Sequence, residues 1–341
     1  MILLKLIASG KLTIVGMLLL SVMLYILHDQ KDLIWLLSLP FTLLALNLLA
    51  AIIVKPGLRK SRGMFIFHLS LFLLLLLAAF GRLSRFEANL ELVQGGVFNA
   101  NNLSNITRGP LHFGQLQQLS FMQGKYSVDY KDDLQRGATH SEIIVPDEFG
   151  KPVRQFVGDD KPFSLHGYQF YTTSNKGFAV VVTWLPESGQ SRSGAIHLPS
   201  FPSFDWRQVN SWSIPGTTKS INIELKIPGS LRKQLKKPQS WQLHNQSANE
   251  ARLEIKYADK ILILRRGEQI TLANGNLRFD EVRGWMGYKV YYDPVLLWLF
   301  IISVCGVLGL LWHYYFLFPV LSLPTVLEKN QTSVSTIKQS I

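Results

Sequence analysis

Four nearly unbroken apolar runs, at residues 12–27, 33–54, 64–80 and 295–318, bracket a polar middle and dictate what this chain can become. Each run is close to the roughly 20 residues that carry an α-helix across the hydrocarbon core of a bilayer. Lipid offers no hydrogen-bond partners, so these runs are expected to be helices whose backbone groups are satisfied internally. The first is short, and Lys11 can snorkel at its end. Its flanks lack a small-residue cleavage pattern and a second run follows at once, so it reads as an anchor rather than a cleaved signal.

Charge orients the spans. Lys5 and Lys11 precede the first run, residues 28–32 are nearly neutral, and Lys55, Arg59, Lys60 and Arg62 form a basic loop after the second. By the excess of Lys and Arg on cytoplasmic loops, the N-terminus and that basic loop are expected in the cytoplasm, with the middle domain outside and the C-terminus back inside. Arg82 and Arg85 run against the bias but border a long domain, where charge directs translocation weakly. Tyr25, Trp35, Tyr291 and Trp298 then fall near the outer interface, and Trp312, Tyr314 and Tyr315 near the inner one.

Between the third and fourth runs the pattern changes to short β-prone pieces divided by turn residues. Strands are expected at 141–145, 168–173, 178–184, 221–227, 253–257 and 260–264, with turns at 147–150, 174–177, 186–189 and 273–275 and a short helix at 229–237. The predicted fold is therefore a membrane protein of four transmembrane α-helices with a large extracytoplasmic β-rich domain of sandwich or barrel-like packing. Its divisions are 1–83 with three helices, 84–292 as the β-rich domain, 293–318 as the last helix, and a cytoplasmic tail at 319–341 that is polar and poorly ordered at its end.

The single cysteine, Cys305, lies in the last apolar run, so the middle domain has no disulfide and no thiol. Cys-x-x-Cys-His is absent, which argues against a covalent c-type haem on this chain. The net charge of +12 gathers partly in the basic loop and is otherwise scattered, as at Lys233, Lys236 and Lys237; without a nucleic-acid motif it reads as membrane orientation and solvated surface, not as nucleic-acid binding.

Within the apolar runs, ionisable groups are costly unless paired or functional. His68 lies about one turn inside the third run, near its expected cytoplasmic side, and a neutral imidazole is a good iron ligand. An axial bond to haem iron and a plain helix-packing hydrogen bond are both open for it. His313 lies near the cytoplasmic end of the fourth run and could approach the same depth; ligation and membership of the interfacial aromatic belt with Trp312, Tyr314 and Tyr315 are its alternatives. His28 belongs to an outer loop, while His112, His140, His166, His197 and His244 are scattered without metal-ligand spacing and read mostly as surface or turn residues. Ser303, Gly306 and Gly309 place small residues at helical spacing for close packing. Pro40 is placed to kink the second span, and Asn47 needs an internal partner. No nucleophile elbow, Walker loop or His-Glu-x-x-His motif is present, so nothing supports catalysis by this chain alone.

Several segments in order resemble the ResB family, the membrane subunit of system II cytochrome c biogenesis. Phe67-His68-Leu69-Ser70 through Phe80-Gly81 resembles its histidine-bearing span, and residues 86–96 its extracytoplasmic entry segment. Ser127-Val128-Asp129-Tyr130 and Phe149-Gly150-Lys151 lead to Pro162-Phe163-Ser164-Leu165-His166-Gly167-Tyr168-Gln169-Phe170-Tyr171, which is similar to the family's Pro-Leu followed by Gly-Tyr-x-Phe-Tyr. Gly287-Tyr288-Lys289-Val290-Tyr291-Tyr292-Asp293-Pro294 resembles its entry into the last helix. Val295 stands where the family usually has Gly, and Gly96 where an acidic residue is common.

The resemblance implies a subunit of a haem lyase complex in the bacterial inner membrane, which moves haem outward and presents it for attachment to apocytochrome c. It implies haem b as the transported substrate and a ResC or CcsA-type partner carrying the tryptophan-rich haem-handling motif, which the dispersed tryptophans of this chain do not form. His68 would then be an axial ligand opposed by a histidine of the partner. Two other readings stay open: a membrane-anchored scaffold or sensor that binds an envelope protein through its outer domain, and a transporter of another hydrophobic cargo.

Overall fold

The computed structural model describes residues 2–130, 136–199, 208–226, 239–242, 251–257 and 260–317. The expected helix at 229–237, the tail after Pro319 and the position of His244 lie outside the described residues. Contacts divide the chain into a helical unit, formed by residues up to Ser84, Gly109–Leu111 and those from Pro294 onward, and a β unit, Arg85–Arg108 with His112–Asp293.

In the helical unit, α1 (Ile2–Ile7) and α2 (Gly10–Ile26) precede a 3-10 stretch, Lys31–Leu37, that runs into α3 (Ser38–Val54). α4 is Arg62–Ser84 and α5 is Leu296–Leu317. Among the described residues, three segments are long and apolar enough to cross a membrane: Lys31–Val54, Arg62–Ser84 and Leu296–Phe316, of 24, 23 and 21 residues. The chain is thus a multi-pass membrane protein. α2 has 17 residues, short of the roughly 20 a span requires.

Asn47 finds the internal partners that lipid denies it. Its amide donates to the carbonyls of Ile7 at 2.5 Å and Ser9 at 3.1 Å, and its oxygen accepts from Thr13 Oγ1 at 2.7 Å, so one side chain ties the break between α1 and α2 to α3. Pro40 falls in the first turn of α3, where its missing N–H breaks no intrahelical bond, so it marks the change from 3-10 to α geometry instead of kinking the helix interior. α4 and α5 meet along small residues: a β-carbon on Gly63 would stand 2.5 Å from the Gly309 carbonyl oxygen, and one on Gly306 would stand 3.1 Å from Ser70 Cβ. Gly306 and Gly309 are buried in this seam, whereas Ser303 is exposed and bonds back to the Leu299 carbonyl. Gly81 likewise accommodates the Val295 side chain.

The β unit is a large antiparallel domain. β1 (Phe86–Val93) alternates buried and half-buried residues, so Phe86, Ala88, Leu90 and Leu92 enter the core while Glu87, Asn89 and Glu91 face away. It lies in a seven-stranded sheet with β2 (Ser104–Arg108), β6 (Phe163–Leu165), β7 (Tyr168–Pro186), β8 (Arg192–Pro199), β14 (Gln269–Leu272) and β15 (Gly275–Tyr292), in the order β2-β1-β15-β7-β6, with β14 on β15 and β8 on β7. A second sheet is formed by β3 (Met122–Tyr130), β4 (Arg136–Pro146), β5 (Pro152–Gly158) and β11 (Gln239–Gln242). A third contains β9 (Gln208–Ser213), β10 (Ser220–Lys226), β12 (Arg252–Tyr257) and β13 (Lys260–Leu264).

The paired long strands β7 and β15 carry two cores. One end packs with Phe121, Tyr126, Ile143 and Val157, the other with Ile221, Ile223, Leu253 and Ile255. The turns expected at 147–150, 186–189 and 273–275 join β4 to β5, β7 to β8 and β14 to β15. The turn expected at 174–177 does not form: β7 runs through it as one strand. The reason is Gly287 on β15. Residues 173–175 bulge against this one glycine, where a β-carbon would stand 2.5 Å from the Asn175 carbonyl oxygen, and Thr173 Oγ1 donates to the Gly287 carbonyl at 3.0 Å.

Candidate functional site

His68 sits in the second turn of α4, half-buried, with Phe67 edge-on to its ring at 5.3 Å. Its Nδ1 lies 2.8 Å from the Met64 carbonyl oxygen one turn back. A carbonyl only accepts, so Nδ1 carries the proton and donates; in the neutral ring the lone pair then resides on Nε2. Among the described residues nothing bonds Nε2. The helix thus satisfies the nitrogen that lipid would penalise and leaves the metal-ligating one available.

His313 is held differently. Its Nδ1 pairs with Ser61 Oγ at 2.7 Å, and the same hydroxyl accepts from the Met64 amide at 3.2 Å, so the imidazole is joined to the start of α4. The backbone of His313 closes on Gly63 at the small-residue seam. The two imidazoles have separate hydrogen-bond partners, the Met64 carbonyl for His68 and the Ser61 hydroxyl for His313. His28 is exposed, with Asp29 Oδ1 at 3.9 Å.

In the β unit, His166 occupies a left-handed turn position, φ 48°, before Gly167, and His140 is exposed on β4. Two other histidines depart from the surface-or-turn expectation. His112 is buried, its Nε2 2.8 Å from Tyr168 Oη, and its ring contacts Phe86 and Tyr292. Burial, with the neighbouring Tyr292 phenol, pushes the Tyr168 phenol up to about 12, although Arg108 pulls the other way. His197 is half-buried, lies flat on Trp285 at 4.7 Å, and bonds Glu91 through Nδ1 at 2.6 Å. That hydrogen bond holds the Glu91 carboxyl below its ordinary value despite the opposing effect of burial. No spacing in the sequence could have signalled either arrangement, because the contacts join residues far apart in the chain.

Deeper in the first core, Tyr288 Oη bonds both Gln123 Oε1 at 2.5 Å and Ser141 Oγ at 2.7 Å. Burial raises this phenol further than that of Tyr168, against the lowering effect of both bonds. At the other end of the domain, an open groove of about 620 Å³ is lined by Trp184, Trp212, Pro215, Arg192 and Glu187 among others. Among the described residues no group of three or more His, Cys, Asp or Glu side chains could hold a metal ion. Among the described residues neither His68 nor His313 has a hydrogen bond at Nε2; His68 differs in that its Nδ1 faces a carbonyl, which leaves the lone pair on Nε2, whereas the Ser61 hydroxyl facing His313 Nδ1 can donate or accept.

A family model described as ResB-like matches residues 51–227, from the end of α3 through α4 and on past β10. The chain belongs to the ResB-like family. A search of curated proteins gives no match. ResB-like membership places the protein in cytochrome c biogenesis, among membrane components that are generally non-catalytic and work alongside other membrane proteins of that process. It also associates the protein with haem trafficking. The matched region of this ResB-like chain includes His68, Glu91 and His197 but not α5 or His313.

Proposed function

We propose that this ResB-like protein is a subunit of a haem lyase complex in the bacterial inner membrane, holding haem b in transit and helping to present it to apocytochrome c. The observation that carries the reading is the His68 imidazole, whose Nδ1 is committed to the Met64 carbonyl so that the lone pair of the neutral ring is on Nε2. His68 supplies one axial position to the iron, and a histidine of a ResC or CcsA-type partner supplies the other. His313 fits a packing role better, since its ring is engaged with Ser61 at the helix seam.

In this reading α2 is the first of four spans, both termini and the tail at 319–341 are cytoplasmic, and the domain at 84–292 is outside. Thioether bonds form between reduced cysteines of the apocytochrome and the haem vinyl groups. The chain contributes positioning to that step rather than acid or base chemistry. The test is the haem absorbance of the complex purified with its partner. His68→Ala is expected to remove the haem held at the membrane site while leaving the complex assembled; unchanged haem content would overturn the assignment and favour the scaffold reading.

A further inference from the structure

A second imidazole, outside the membrane helices, is held in the manner of a metal ligand. Glu91 on β1 and His197 on β8 are separated in the sheet by β15 and β7, yet their side chains meet at 2.6 Å. The bulge of β7 against Gly287 makes the arrangement: Gly287 lies opposite Glu91 and adds no side chain, while the bulged Asn175 donates to the other carboxylate oxygen at 2.7 Å. The His197 ring is then fixed by two contacts, the carboxylate at Nδ1 and the indole of Trp285 stacked within 10° of parallel, while Asn210 holds the His197 backbone by donating to its carbonyl.

Trp285 is itself buried with its Nε1 lacking any hydrogen-bond partner, an uncommon arrangement for a buried polar group. Among the described residues nothing bonds His197 Nε2, and the side chain retains 25% of its exposure. An ion pair that served only to join two strands would require neither the stacked indole nor a second nitrogen left without a hydrogen bond. A carboxylate behind Nδ1 fixes the tautomer and strengthens Nε2 as a donor, the usual outer shell of a metal-bound imidazole.

One imidazole cannot by itself hold a free divalent cation, and no group of three possible ligands exists among the described residues. It does suffice where a porphyrin supplies the other in-plane nitrogens. We propose that His197 Nε2 is an axial ligand for haem iron outside the membrane, oriented by Glu91, Asn175 and Trp285, taking haem in transit. The inference rests on the reading that this protein handles haem, and it adds a station separate from His68. In the step, the Nε2 lone pair forms a bond to ferric iron and an iron-bound water leaves; Nδ1 keeps its proton and no electron is transferred.

The experiment titrates ferric protoporphyrin IX into the full-length protein in detergent and follows the Soret band. A His68→Ala protein is expected to keep one saturable, histidine-ligated haem. Adding His197→Gln, whose amide can still donate to Glu91, removes that band shift. Adding Glu91→Gln instead weakens binding by about 10- to 100-fold. His197→Met in the His68→Ala protein offers a thioether to the iron and is expected to change the ligand-field spectrum rather than abolish it, which a merely structural role would not produce. An unchanged Soret shift in the His68→Ala, His197→Gln protein, or no histidine-ligated haem in His68→Ala when the wild type binds one, overturns the proposal. The second of these outcomes leaves His68 standing. Haem lost with His197→Gln alone and unaffected by His68→Ala would instead remove the membrane site and leave the outer one.

Discussion

The two cores of the β unit share β7 and β15 but are built from different chemistry. One is mostly aliphatic: Val180, Leu198, Ile214, Ile221, Ile223, Leu225, Leu253, Ile255 and Leu277 are almost wholly buried beside Phe178, Trp184 and Phe279, and shape and volume dominate its specification. The other is aromatic, with Phe86, Phe98, Phe121, Phe163, Phe170, Tyr168 and Tyr288, and it encloses polar groups at Gln123, Ser141 and His112. A buried hydroxyl or imidazole must find its partner at a fixed distance, so the aromatic core specifies geometry as well as volume. This second core is also the one holding Phe86 and Tyr292, the residues at which β1 begins and β15 ends. The difference teaches that directional bonding is concentrated in the half whose strands connect in sequence to α4 and α5.

The comparison can be broken in the aliphatic core first. Ile223→Ala creates a cavity at a residue with no exposure and is expected to cost about 2–5 kcal/mol, read from denaturant unfolding followed by tryptophan fluorescence. Trp184 and Trp212 report from the same half. Tyr288→Phe in the aromatic core keeps the ring but leaves Gln123 Oε1 without its donor and removes one of the two bonds at Ser141 Oγ, with an expected cost of about 1–3 kcal/mol in the same assay. A neutral Tyr288→Phe would show that the hydroxyl network does not hold that half, and the contrast between the cores would lose its meaning.

The smallest expected effect lies on the outer face of the shared sheet. The Glu91 carboxyl titrates below its ordinary 4.5 in the folded protein because His197 donates to it. Its contribution is therefore complete above that ordinary value and is lost as pH falls through the lower, folded one. Glu91→Gln is expected to flatten the acid limb of a plot of melting temperature against pH and to leave the neutral region nearly unchanged. An acid limb that keeps its slope in Glu91→Gln would mean that this carboxylate is not linked to folding.

The helices and several strands were legible because their signals are local. The runs at 33–54, 64–80 and 295–318 coincide with the three segments long and apolar enough to span, and the alternation at 221–227, 253–257 and 260–264 falls on β10, β12 and β13. The continuous course of β7 was hidden because Ser174, Asn175 and Gly177 have the composition of a turn, and the glycine that lets them bulge lies on another strand. β15 was hidden for a related reason: Gly284 and Gly287 look like strand breakers until their partners are known. His68 stood out because a lipid environment makes one imidazole conspicuous. Glu91 and His197 did not, since 106 residues separate them and only the sheet brings them together.

The central claim is that Nε2 of His68 binds haem iron. The most direct measurement replaces His68 with glycine and supplies imidazole in solution, reading haem content of the purified complex and cytochrome c maturation together. The account predicts that His68→Gly loses the haem of the membrane site and most of the maturation, and that added imidazole restores them by occupying the vacated position. Full haem content and maturation in His68→Gly without imidazole would contradict it.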